Sequence, residues 1–356
     1  MCRAFGAPLE IEDLQLDAPR RGEVQVSVAA CAICHSDIAL AEGAWGGELP
    51  AVYGHEAAGV VEEVGVGVSR VRPGDRVAVS LLRTCGRCFF CERGQAHLCE
   101  GEFPSDGEVL LRTRDGEPVH QAMHTAAFAE EVVVHESQLA VIRESLPFDV
   151  ASLLGCGVVT GVGAVVDRAA VPAGSNVVVI GTGGVGLNSV QGAAICGAEP
   201  IIGLDVSPAK REAAILFGAT HTLDPAVGDP ADAVRALTGG RGADFVFVTV
   251  GRASVIESGL GLVRRGGTLV VVGMPPSDET FGVVAVDLAH NDVRILGSKM
   301  GSARLELAVP WLVELYVKGG LKLDELISAR YPLDRINDAI ADARDGDALR
   351  NVVVFE

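Results

Sequence analysis

At 356 residues the chain is about twice the ~150 residues expected of one domain, so two domains are anticipated. Its formal net charge of -18 offers no basic surplus to neutralise phosphate, which argues against nucleic acid or an anionic membrane surface as a partner. Hydrophobic residues make up 49% of the sequence, yet apolar runs such as Val177-Val178-Val179-Ile180 fall far short of the ~20 residues of a membrane span.

The N-terminus, Met1-Cys2-Arg3-Ala4-Phe5-Gly6, lacks the basic start and apolar stretch of a secretory signal, so a cytoplasmic protein is expected. Disulfides are then disfavoured, and the clustering of nine cysteines points to metal.

From Val24 to about Val134 the sequence reads as short strands punctuated by glycine and proline, as in the period-two alternation of Glu23-Val24-Gln25-Val26-Ser27-Val28. Within this β-rich region, 112–125 reads as a long polar loop. After about Ala164 the pattern changes to apolar strands alternating with alanine-rich helical stretches: 176–180, 200–204, 244–250 and 268–272. Such βαβ repetition predicts a parallel sheet covered by helices. From about Met300 the sequence returns to mixed structure, with an amphipathic stretch over 308–317 and a final strand over 351–355. The expected division is therefore 1–160, 161–299 and 300–356, the last part closing the first domain.

Cys85, Cys88, Cys91 and Cys99 place four thiols within fifteen residues, three of them at two-residue gaps. Such gaps let a loop wrap one tetrahedral ion, and four thiolates leave no open position, so the ion would hold the loop and not catalyse. An iron–sulfur cluster or two disulfides are the rival readings.

A more scattered set follows: Cys31-Ala-Ile-Cys34-His35-Ser36-Asp37, then Gly54-His55-Glu56, then Gly155-Cys156-Gly157. Two thiolates and one imidazole would bind zinc and leave a fourth position for substrate oxygen. Singly these signals are weak, since a lone cysteine is usually a small core residue and a lone histidine a hydrogen-bonded one. Cys31 and Cys34 could also form a redox pair.

The strand ending at Ile180 runs into Gly181-Thr182-Gly183-Gly184-Val185-Gly186, a helical segment follows from Leu187 to Cys196, and Asp205 stands nineteen residues after Gly186. Dinucleotide binding requires this order: glycines permit a tight turn and close backbone approach, the helix N-terminus faces a pyrophosphate, and the acid accepts from the adenosine ribose. The acid repels the extra phosphate of NADP, so NAD(H) is preferred.

Taken together, the CxxCHSD segment, Gly54-His55-Glu56-Ala57-Ala58-Gly59, the four-cysteine loop, Leu154-Gly155-Cys156-Gly157, the GTGGVG turn, Ile202-Gly203-Leu204-Asp205 and Ala348-Leu349-Arg350-Asn351 resemble the zinc-dependent medium-chain alcohol dehydrogenases. The likeness is greatest to the branch containing the classical and the glutathione-dependent formaldehyde enzymes. The resemblance covers nearly the whole chain. It implies an α/β protein with an N-terminal β-rich GroES-like catalytic domain, a Rossmann cofactor domain and a C-terminal return, two zinc ions per chain, and a homodimer through the Rossmann sheets, with a tetramer equally compatible. The activity implied is hydride transfer between NAD(H) and a primary alcohol or aldehyde; a thiol adduct of formaldehyde, a polyol or a biosynthetic intermediate is the alternative substrate.

By the same resemblance Cys34, His55 and Cys156 match catalytic zinc ligands and Glu56 a carboxylate that approaches the metal. Asp37 matches the acid orienting the zinc histidine, and Ser36 the hydroxyl that carries the alcohol proton away. Family members often continue that relay to a histidine where this chain has Ala39, so water or His35 would have to serve. His35 and Arg350 match residues that touch the cofactor pyrophosphate, and Lys210 one that touches the ribose. Val250 and Val272 join the cofactor-binding set. Trp45, Leu81, Met123, Met274 and Met300 match the pocket lining, which suits an aliphatic, allylic or aromatic alcohol.

Overall fold

Val24, Val26 and Val28 alternate inward along the strand Glu23–Ala32, and burying each contributes roughly 1.5–3 kcal/mol relative to exposure. In this computed structural model, which describes residues 1–355, that strand is the middle of a seven-stranded sheet. It pairs antiparallel with Glu56–Val64 on one side, and with Glu131–His135 and Arg350–Val354 on the other. Beyond Glu56–Val64 lie Arg76–Val79 and Leu139–Val141; Ile327–Pro332 joins Arg350–Val354 in parallel. The chain divides into two compact units, Met1–Gly157 with the chain from Arg304 onward, and Val158–Ala303.

The register of this sheet gathers the motifs of the first unit. Ala32 stands opposite Glu56, and Ala57 opposite Val79. Cys34 leaves the end of one strand and His55 precedes the start of its neighbour, so two residues far apart in sequence share one end of the sheet. Gly155 is packed so tightly on this end that a Cβ there would strike the Val79 carbonyl oxygen.

The long polar loop expected over 112–125 is not formed. Leu111–Thr113 and Pro118–Gln121 pair antiparallel, and Pro118–Gln121 also pairs with Ala51–Val52. Leu111 and Val119 are buried, and a turn carried by Gly116 closes with Gly116 N donating to Thr113 O at 2.9 Å. Strands of three and four residues are too short to show a period-two pattern against their polar neighbours.

The second unit follows its periodicity. All four residues of Val177–Ile180 are buried, as a central parallel strand covered on both faces requires. The sheet is wholly parallel, in the order His221–Leu223, Ile201–Leu204, Val177–Ile180, Ala243–Val248, Val263–Val271, Arg294–Gly297. This is the doubly wound order whose switch point lies beside the first strand. No single helix among the described residues is long and apolar enough to cross a membrane.

Candidate active site

Cys34 is the residue before the helix His35–Ala41, and Asp37 lies in that helix's first turn. The Asp37 carboxylate, 2% exposed, accepts from Cys34 N at 3.1 Å, from Gly54 N at 3.0 Å and from His55 Nδ1 at 2.9 Å. One buried carboxylate thus fixes two segments and one ring. With Nδ1 donating, the neutral imidazole directs its Nε2 lone pair away from Asp37; in the protonated ring a cation there would displace only the proton on Nε2. That atom is fully buried and has no hydrogen-bond partner, which marks a missing electrophile. Burial works to lower the His55 pKa, but Asp37 outweighs it and holds the ring above the usual histidine range.

Cys34, His55, Glu56 and Cys156 are all buried, and each offers a donor atom within 4.8 Å of the others. Zinc–sulfur and zinc–nitrogen bonds of about 2.3 and 2.1 Å fit donors so spaced, so the group could hold a zinc ion. The hydrogen bond between the two thiols draws Cys34 well below the ordinary thiol range, and with burial pushes Cys156 well above it. A bound cation would ionise both. The Ser36 hydroxyl lies 3.6 Å from Cys34 Sγ, and His35 is exposed at the first helical position.

Glu56 is fully buried and its Oε2 is ion-paired with Arg350 and accepts from Gly157 N at 3.2 Å. Burial pushes its carboxyl up to about 7 against the opposing pull of Arg350. Oε1 has no hydrogen-bond partner. The sequence reading assigns Arg350 to a pyrophosphate; here its side chain is 6% exposed and occupied by Glu56. That pairing joins residues 294 positions apart, 350 less 56, and no local pattern announces it. Replacing Asp37 by asparagine presents an amide where three donors need an acceptor, and is expected to weaken zinc binding about 10–100-fold in chelator competition. Unchanged affinity would remove Asp37 from the positioning role.

The four sulfurs of Cys85, Cys88, Cys91 and Cys99 also lie within 4.8 Å of one another. Backbone amides turn inward as the spacing implies: Cys85 N and Gly101 N reach Cys99 Sγ at 3.2 and 3.4 Å. Backbone amides of Cys91 and Glu100 draw Cys88 down to about 6, while burial pushes Cys91 up to about 12. All nine cysteines are free thiols, so the disulfide alternative is not realised.

In the second unit, Gly181 turns the chain at φ +85°, and the helix Gly184–Ile195 starts immediately after Gly183. A Cβ on Gly186 would overlap the Gly181 carbonyl oxygen, so only glycine allows this helix to begin so close to the strand. Nothing but Lys210 Nζ, at 4.0 Å, would meet a Cβ on Gly183, leaving open space before the helix N-terminus where Gly184 and Val185 stand. Asp205 accepts from Thr182 N at 2.7 Å and Ser207 N at 3.0 Å, which fixes its carboxylate at the next strand's end. Val250 packs its Cγ2 over Gly181, and Val272 donates its N–H to Val248 O at 2.9 Å. These residues suit a pyrophosphate and a ribose.

The five residues expected to line a substrate pocket fall in both units. Trp45, Leu81 and Met123 are half-buried in the first unit. In the second unit Met274 is 65% exposed, and Met300 is buried with its sulfur 3.6 Å from the Thr160 hydroxyl.

A buried thiol–imidazole cluster on a β-rich unit, in a chain that also carries a dinucleotide fold, defines a zinc-dependent dehydrogenase. Residues 20–144 match the family described as alcohol dehydrogenase GroES-like domain, and residues 184–314 match zinc-binding dehydrogenase. The NDMA-dependent alcohol dehydrogenase of Amycolatopsis methanolica is 37% identical over 359 residues, covering 98% of this chain and 96% of that one. The alcohol dehydrogenase class-3 of Cereibacter sphaeroides is 37% identical over 368 residues, covering 98% and 97%. The crystal structure of benzyl alcohol dehydrogenase from Acinetobacter calcoaceticus has a TM-score of 0.93 at 30% identity, covering 100% and 98%.

The chain belongs to the zinc-dependent medium-chain alcohol dehydrogenase family. It is accordingly an oxidoreductase acting on alcohols or aldehydes with zinc and an NAD-type cofactor, and its fold is the GroES-like domain plus Rossmann domain of that family.

Proposed function

We propose that the protein transfers hydride between NAD(H) and a primary aliphatic, allylic or aromatic alcohol, with Cys34, His55 and Cys156 as the ligands of a catalytic zinc. The observation that carries this reading is His55 Nε2, buried, unpartnered and within 4.8 Å of the donor atoms of Cys34, Glu56 and Cys156. Zinc, when bound, would supply Lewis acidity for the substrate oxygen, and a bound nicotinamide would supply the hydride acceptor. Asp37 holds His55 and the Cys34 backbone in place; Ser36, beside Cys34, takes the hydroxyl proton; His35 or water passes it on where Ala39 offers no histidine. Glu56, whose carboxylate lies within 4.8 Å of the donor atoms of Cys34, His55 and Cys156, would be placed to serve a bound metal during ligand exchange. Arg350, offered to a pyrophosphate, would share its guanidinium with Glu56.

A second zinc belongs to Cys85, Cys88, Cys91 and Cys99, giving two per chain. In the cofactor domain Gly181, Gly183, Gly184, Val185 and Gly186 form the pyrophosphate cradle, with Lys210, Val250 and Val272 around it, and Asp205 sets the preference for NAD. Like-charge repulsion of a 2′-phosphate costs several kcal/mol, so Asp205→Ser should lower the NAD-to-NADP ratio of kcat/KM roughly a hundredfold. An unmoved ratio would take the ribose role from this residue. By family likeness Trp45, Leu81 and Met123 of the first unit, and Met274 and Met300 of the second, are assigned to substrate contact. Benzyl alcohol, the substrate named for one structural relative, belongs in the first panel. A homodimer through the Rossmann sheets fits the edge strand Arg294–Gly297 and the exposed Val283, Val284 and Val286. The free thiols favour a cytoplasmic, reducing setting.

The test is NADH formation by zinc-loaded protein with NAD and a panel of aliphatic, allylic and benzylic alcohols. Turnover with at least one class supports the reading. Silence across the panel, with NAD bound, moves the substrate to a thiol adduct of formaldehyde, a polyol or a biosynthetic intermediate; failure to bind NAD overturns the cofactor assignment.

A further inference from the structure

The segment Ala122–Phe128 carries three non-glycine residues in the left-handed region: Met123 at φ 51°, His124 at φ 54° and Ala126 at φ 60°. Side chains rarely adopt this conformation, and it persists only where surrounding structure imposes it. Two glutamine amides supply that restraint. Gln138, 1% exposed, accepts from His135 N at 3.2 Å and donates from Nε2 to His124 O at 3.1 Å and Ser80 O at 2.9 Å. Gln121 Nε2 donates to Thr125 O at 3.0 Å and Val133 O at 2.8 Å. The Thr125 hydroxyl closes the bend by donating to Met123 O at 2.9 Å.

Both segments bridged by Gln138 lead directly to proposed metal ligands. The strained one pairs Ala127 N with Gly54 O at 2.9 Å, next to His55. Ser80 follows the strand Arg76–Val79, whose Val79 carbonyl lies against Gly155, next to Cys156, and Leu81 comes after it. One buried amide therefore ties the backbone beside Met123 to the backbone beside Leu81. We propose that Gln138, supported by Gln121, is a positioning residue that sets the separation of Leu81 and Met123 and so determines which alcohols the enzyme accepts. The inference rests on the assignment of those two residues to the substrate pocket.

The side chain of Gln138 bonds only backbone, at His135 N, His124 O and Ser80 O, so its removal should redistribute specificity and not abolish chemistry. Gln138→Met keeps length and bulk but loses both donors. The ratio of kcat/KM for benzyl alcohol to that for ethanol is compared in wild type, Gln138→Met, Gln121→Met, Leu81→Ala and Met123→Ala. Zinc content and KM for NAD are read alongside. The expected result is a ratio moved about tenfold by Gln138→Met, in line with the cost of misplacing a substrate by a fraction of an ångström, with zinc content and KM for NAD unchanged. A ratio held within about twofold, while Leu81→Ala or Met123→Ala shifts it, would overturn the positioning role and leave the pocket intact. Equal ratios in both alanine variants would overturn the pocket assignment and the inference with it. A parallel loss of zinc or of NAD affinity would mark general loosening and likewise overturn it. If Gln138→Met does not fold, the half-buried Gln121→Met decides by the same criteria.

Discussion

Cys34→Ser should lose one of two zinc ions and at least ~10³-fold in kcat, because Lewis-acid stabilisation of developing charge is worth several kcal/mol. Serine is a harder donor with a far higher pKa than a thiol, and the Cys34 thiol is already drawn well below its ordinary range by Cys156 and His55. The Cys34 backbone hydrogen bond to Asp37 survives the change, so the helix it precedes should remain. The glycine turn lies in the other unit, and NAD binding should be retained. Metal analysis, nicotinamide fluorescence and steady-state rates on one preparation check all three. Activity within about tenfold of wild type, with the zinc count unchanged, would remove Cys34 from the ligand set.

Cys99→Ser should act on stability instead. Cys99 Sγ gathers two backbone amides, and Cys88 Sγ lies 3.9 Å away. Between Cys85 and Cys99 only Ala96 is buried, so the loop has almost no apolar core of its own. Metal ligation contributes ~10 kcal/mol or more in small zinc domains; losing even a few kcal/mol of that should lower Tm by ~5 °C or more in a chain of this size. The zinc count should fall by one while kcat of the folded fraction changes little. A variant with wild-type Tm and both ions would show that the four thiols do not share one.

The sequence makes the local parts of this molecule readable and the non-local parts readable only by family likeness. Four cysteines within fifteen residues and a strand running into Gly181 and Gly186 state their chemistry in their own spacing. Cys34, His55 and Cys156 do not; they meet because Ala32 pairs with Glu56 and Val79 with Ala57, a register invisible without the fold. The Glu56–Arg350 pair and the bridges of Gln138 lie beyond any local pattern for the same reason. The hairpin formed by Leu111–Thr113 and Pro118–Gln121 was hidden in polar sequence because each strand buries only one or two side chains. Met274 is 65% exposed, a placement that its apolar side chain alone does not foretell.

Asp37 binds three donors with a single side chain before any ion arrives. That restraint makes the proposed catalytic site a rigid socket, whereas between Cys85 and Cys99 only Ala96 is buried. A rigid socket needs little reorganisation to exchange its occupant, so if each cluster holds a zinc ion as proposed, the two should leave at different rates. The catalytic position can then be refilled with a coloured divalent metal such as cobalt, and the site followed by its absorption while the loop keeps its zinc.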